Sequence, residues 1–156
     1  MKKKYLLALL FAPMMNAAEF DQYNVDLKVH DQDQKVIISE YTLQMMGYGR
    51  TKKSHNTAYA IATCDKNSRS FKSKKYSSGY EVEYLFGNEM SSIKITQFSI
   101  DDSKYNFVDG EACQNTIEPI QLEIETSINF SLANNVSKTV EMKNGNIITL
   151  EIRRSM

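Results

Sequence analysis

The chain has 156 residues, with 19 basic and 19 acidic side chains, 42 % hydrophobic residues, two cysteines and no tryptophan. That length suits one cored domain rather than two, and that mix of apolar and charged residues excludes an intrinsically disordered chain. Six glycines and two prolines exclude collagen-like and linker-like sequences, and two cysteines are too few for a disulfide-dense miniature scaffold or a four-thiolate metal site.

Lys2, Lys3 and Lys4 precede a short apolar run over residues 5–12. Positive charge followed by such a run is the pattern of a secretory signal peptide. Ala17 and Ala18 supply small residues for cleavage after Ala18, although Asn16 fits the site poorly. The run breaks at Pro13 and is too short to span a membrane, which takes about 20 apolar residues. The expectation is a signal-peptide helix over 1–18, one β domain over 19–156, a periplasmic or secreted location and no transmembrane span in the mature chain. Cleavage removes three lysines and leaves 16 bases against 19 acids. An exported chain meets oxidising surroundings, so Cys64 and Cys113 are expected to pair. Closing a loop of that length stabilises a fold by about 4 kcal/mol on the chain-entropy model.

Beyond residue 18 the hydrophobic pattern has period two. Tyr23, Val25, Leu27 and Val29 alternate with polar residues and predict a half-buried strand. A polar turn over 31–34 leads to a second predicted strand over 36–46, which Gly47-Tyr48-Gly49 breaks. Residues 50–56 read as loop. A third strand over 57–64 has Ala58, Ala60 and Ala62 on one face, suggesting close packing against another layer. Residues 65–75 read as a lysine-rich connection. Tyr80, Val82, Tyr84 and Phe86 mark a fourth strand. A fifth begins at Ile93 and Ile95, and the shift of its apolar parity to Phe98 and Ile100 suggests a bulge or twist. Ile120, Leu122, Ile124, Ile128, Phe130 and Leu132 share one parity and predict a strand with a single apolar face. Asn144-Gly145 joins two last alternating runs and predicts a hairpin whose two central residues both take positive φ. Seven or eight short strands point to an all-β fold, an antiparallel β-sandwich (immunoglobulin-like or related) or a small barrel.

Charge is segregated along the chain. Residues 50–75 hold eight bases and one acid, whereas residues 76–137 hold two bases and ten acids. The basic block is Arg50, Lys52, Lys53, Lys66, Arg69, Lys72, Lys74 and Lys75. It flanks the third strand, so two basic loops are expected at one end or edge of a sheet. Such a patch suits another envelope protein or an anionic glycan or lipid surface. Export argues against nucleic acid. Tyr48, between two glycines, is an expected contact residue.

The sequence offers little chemistry. His30 and His55 lack neighbouring ligands, no G-x-S-x-G elbow occurs, and the acidic stretch after Asp101 lacks EF-hand spacing. Glu81 with Glu83, and Glu123 with Glu125, each share a strand face, which is the look of a solvated sheet surface. No catalytic residue, metal or cofactor is expected. The leading expectation is a non-enzymatic binding or assembly module acting through region 50–75 and its sheet edges. One alternative is a small secreted hydrolase or inhibitor-like effector; another is a subunit or accessory factor of a surface polymer or secretion apparatus.

Overall fold

The structure is a computed structural model that describes residues 21–65, 68–107, 114–132 and 135–155. The expected signal peptide, Lys66 and Cys113 lie outside the described residues. Eight strands follow in chain order: β1 (Gln22–His30), β2 (Val36–Met45), β3 (Gly47–Asp65), β4 (Ser68–Phe86), β5 (Ser91–Asp101), β6 (Ile120–Phe130), β7 (Val136–Glu141) and β8 (Ile147–Arg154). They form two antiparallel four-stranded sheets, β2-β1-β8-β7 and β3-β4-β5-β6. We call these sheet A and sheet B. The all-β sandwich expected from the period-two pattern is therefore observed. Its order differs from the immunoglobulin one. Sheet B is a simple meander, and sheet A joins the first hairpin to the last through β1 and β8.

The alternating residues do what their pattern dictates. Tyr23, Val25, Leu27 and Val29 of β1 are buried, as are Ile148, Leu150 and Ile152 of β8. They face Val82, Tyr84 and Phe86 of β4, Ile93 and Ile95 of β5, and Ile128 and Phe130 of β6 in one core cluster. Each fully buried aliphatic side chain contributes about 1.5–3 kcal/mol. Phe86 sits at the centre of three edge-to-face aromatic contacts, with Tyr23 (5.6 Å), Tyr84 (6.4 Å) and Phe130 (5.8 Å). The Tyr84 hydroxyl is buried without a hydrogen-bond partner among the described residues. Burial, with Glu40 and Tyr80 nearby, pushes its ionisation far above the usual tyrosine range.

Several local expectations need correction. Residues 50–56 and most of 65–75 are strand, not loop: β3 and β4 are each 19 residues long and pair without a register break from Gly47↔Phe86 to Asp65↔Ser68. The second strand does break where expected, since β2 ends at Met45 and Gly47 has φ +112°, but Gly47 opens β3 directly with no loop after it. Beyond residue 46 the chain passes from sheet A to sheet B. The parity change in β5 needs no bulge, because β5 pairs with β6 in unbroken register. Phe98 lies opposite Gly79 instead, and the Lys52 ammonium lies 5.0 Å from the centre of its ring. At the Asn144-Gly145 turn only Gly145 takes positive φ, +80°. The Met142 N–H donates to the Asn146 carbonyl and the Gly145 N–H to the Met142 carbonyl, closing a three-residue loop instead of a two-residue one. Ala58 and Ala60 are exposed, and of the three alanines only Ala62 is buried.

The candidate arm and the charged face of sheet B

Pairing between β4 and β5 ends at Gly79↔Phe98, but β3 and β4 stay paired as far as Asp65↔Ser68. The outer parts of β3 and β4 therefore leave the sandwich as a two-stranded arm. Gly79 marks the departure. Its φ is +130°, and a Cβ there would meet the Lys53 carbonyl oxygen at 2.2 Å. Only glycine lets β3 and β4 approach so closely in that conformation.

A bare two-stranded ribbon is marginal in water. This one is braced by the chain between β5 and β6. Tyr59 packs edge-to-face on Tyr76 (5.6 Å) and Tyr105 (4.9 Å) and donates a hydrogen bond to Asp102 (2.8 Å). Glu118 accepts from the Lys74 ammonium (2.6 Å) and the Tyr76 hydroxyl (3.0 Å). Both donors, Lys74 first, hold the Glu118 carboxyl below its usual range, and Glu118 raises Lys74 in return. Tyr76 and Ile61, on the face that carries Tyr59, and Ala62, on the opposite face, are buried but lie outside the main core cluster, so the arm buries apolar side chains of its own. Along its open side the Tyr105 hydroxyl donates to the Ala60 carbonyl. The Thr116 N–H donates to the Ala62 carbonyl, and the Ala62 N–H to the Thr116 hydroxyl. The Cys64 N–H donates to Asn115 Oδ1 (2.7 Å).

The described part of the expected basic block thus lies on two paired strands, not in two loops, and at least four of its cations meet acids within the chain. Arg50 (2.6 Å) and Lys52 (3.4 Å) both meet Glu81, Lys53 meets Glu40 (2.6 Å), and Lys74 meets Glu118. The Arg50 guanidinium beside Glu81 lowers that carboxyl, and Arg50 is raised in turn. Glu40 is itself buried and also accepts from Tyr80 (2.5 Å), so the Lys53 ammonium, on a side chain 60 % exposed, caps a buried carboxylate from the solvent side. Lys72 and Lys75 stand exposed on the arm, opposite Ile61 and Ala58. The Arg69 guanidinium lies 4.7 Å from the centre of the Phe71 ring, and Phe71 is 58 % exposed. Tyr48 is 64 % exposed, as expected, but its hydroxyl donates to Glu83 (2.8 Å), which raises its ionisation. Sequence reasoning missed Glu40, Glu118, Tyr59 and Tyr105, and it read Glu81 as a solvated surface carboxylate, whereas Arg50 and Lys52 bury it to 8 % exposure. The approach of distant acids to the lysines is a product of the sheet register, which leaves no local signal.

The outer face of sheet B shows that register as a charge pattern. The signs run basic on β3 (Arg50, Lys52), acidic on β4 (Glu81, Glu83), basic on β5 (Lys94) and acidic on β6 (Glu123, Glu125). Lys94 bridges Glu83 (2.6 Å) and Glu125 (3.6 Å). Elsewhere, His30 lies at the end of sheet A, with Nδ1 3.4 Å from the Gln34 carbonyl, and His55 is exposed on sheet B opposite Ser78. Among the described residues no three His, Cys, Asp or Glu side chains are grouped to hold a metal, and no helix is long and apolar enough to cross a membrane. A depression of about 240 Å³ on sheet A is lined by Asn24, Asp26, Tyr41, Glu151 and Arg153. Its charged groups are engaged in Lys28–Asp26 and Arg153–Glu151 pairs.

Comparison with known protein families, curated proteins and solved structures finds no match to this chain.

Proposed function

We propose that the chain is an exported envelope or secreted module that binds another envelope protein through surface contacts and performs no catalysis. The observation that carries this reading is the braced arm. A hairpin held out from a sandwich presents Phe71, Lys72 and Lys75 to solvent while its own tyrosines and Glu118 keep it in shape. A preformed element loses little entropy on binding, and an exposed aromatic with a guanidinium over its ring, here Phe71 with Arg69, is an effective contact group. The four edge strands, β2, β7, β6 and the part of β3 before the capped Ala60, add main-chain groups that can accept a partner strand. The lysine-led leader supports export. A Cys64–Cys113 disulfide belongs to the same proposal. Asn115 and Thr116 lie against Cys64 and Ala62, so the chain just after position 113 runs beside Cys64. The hydrolase reading has weaker support, because the two histidines lie in different sheets and the depression on sheet A contains neither.

The test is capture from envelope extracts by the wild-type chain and by Lys72→Glu/Lys75→Glu. The reading expects a discrete partner that the double variant loses. Equal recovery by both chains refutes the arm as the binding element. Binding to anionic vesicles but to no protein would replace the protein partner by a lipid surface.

A further inference from the structure

The charge pattern of sheet B stops at its two edges with opposite signs. In one row across the sheet, Lys52 lies opposite Glu81, Glu81 opposite Thr96, and Thr96 opposite Glu125. In the next, Arg50, Glu83, Lys94 and Ser127 follow one another. Glu125 therefore stands at the acidic edge in the row where Glu81 receives Arg50 and Lys52. Glu81 is nearly buried by those two partners, whereas the Glu125 side chain is 59 % exposed and, among the described residues, has only the longer contact to Lys94.

Strand direction and side-chain parity fit the same continuation. Each strand of sheet B is antiparallel to its neighbour, so β3 of a second copy, set beside β6 in the same sense, is antiparallel to it. On β3 the main-chain groups facing the open side belong to even-numbered residues, as the capped Ala60, Ala62 and Cys64 demonstrate. Arg50 and Lys52 share that parity and lie on the outer face. On β6 the Asn129 carbonyl is taken from outside by Lys138, and Asn129 shares its parity with Glu123 and Glu125. Pairing these two edges thus places Lys52 of one copy opposite Glu125 of the next, both on the outer face. The inner-face residues then in register are His55 opposite Leu122 and Thr57 opposite Ile120. Leu122 and Ile120 are 42 % and 53 % exposed in the isolated chain, beyond the reach of the sandwich core. The segment of β3 from Arg50 to Ala58 is the part not capped by the described residues of its own chain, and it matches residues 119–127.

We propose that β6 of one copy of this chain accepts β3 of a second copy in an antiparallel, head-to-tail pairing. The proposal rests on the reading above, in which the edges are binding surfaces, and commits one edge pair to a second copy. Because the two edges are different surfaces, the contact repeats, giving a ring or an open filament according to the rotation between copies.

The test is sedimentation of the full exported chain over a concentration series, at about 20 mM and about 500 mM salt. The expected result is mass rising past the dimer with concentration, more strongly at low salt. Glu123→Lys/Glu125→Lys and Arg50→Glu/Lys52→Glu each weaken association about tenfold or more, and an equimolar mixture of the two restores it, because every contact is again between opposite charges. Arg50→Glu/Lys52→Glu also disturbs Glu81. If that variant unfolds, Ser127→Pro serves instead, since it removes an edge N–H without touching the paired side of β6; it should leave the chain folded and monomeric. A wild-type chain that stays monomeric at low salt, or association unchanged by Glu123→Lys/Glu125→Lys, overturns the proposal. Monomers that still capture a partner through the arm overturn the self-pairing alone; monomers that capture nothing overturn both readings.

Discussion

Ile61 tests whether the arm holds itself in shape. It is 2 % exposed on β3, yet it lies outside the main core cluster. Ile61→Ala removes three carbons. At about 0.8 kcal/mol per buried carbon this costs about 2.4 kcal/mol, before any added cost for the cavity. If the arm opens separately from the sandwich, that loss falls on local opening. Amide hydrogen exchange over 57–63 and 70–76 should then accelerate roughly 60-fold, while amides of β1 and β8 keep their rates. Leu150→Ala, in the fully buried centre of sheet A, is the control. It should cost about 3 kcal/mol, lower Tm by about 10 °C and speed exchange everywhere. The reasoning fails if Ile61→Ala lowers Tm as Leu150→Ala does with no selective effect on the arm, because arm and sandwich would then be one cooperative unit. Unchanged arm exchange would show that Ile61 is not packed.

Gly79→Ala should cost at least about 2 kcal/mol by thermal melting, since φ is +130° and the new Cβ strikes the Lys53 carbonyl. Lys53→Met should lower stability in chemical denaturation, because buried Glu40 loses its cation and keeps, among the described residues, the Tyr80 hydroxyl. Acid should loosen the arm before the sandwich unfolds. Lys74 holds the Glu118 carboxyl below its unfolded value, so that contribution is intact above the ordinary glutamate range and is lost as pH falls through the depressed folded value. The ring resonances of Tyr59 and Tyr76 should report the change by NMR, and Glu118→Gln should abolish its pH dependence.

The sandwich was legible in the sequence wherever a strand has one buried face. Val25, Leu27 and Val29, or Ile148, Leu150 and Ile152, declare themselves through period two because the core selects every second residue. The arm was not legible for the same reason. Over residues 50–56 and 68–75 neither face meets the core, so no alternation is imposed, and main-chain pairing leaves no trace in side-chain type. Lysines that read as a solvated loop instead lie on long strands. The apolar series of β6 illustrates a subtler limit. Its parity was right throughout, but burial declines from Phe130 to Ile120 because the strand outruns the opposite sheet. The basic block was legible as a run, whereas its neutralisation by Glu81, Glu40 and Glu118 depends on register across the hairpin and on the loop that braces it.

Whether this protein works by contact through its arm is tested most directly by placing a photoreactive benzoylphenylalanine at position 71 in cells that export the chain. Irradiation should give one discrete cross-linked species from position 71 and none from position 151 on the outer face of sheet A. The absence of any adduct from position 71, with the chain exported and folded, would contradict the account.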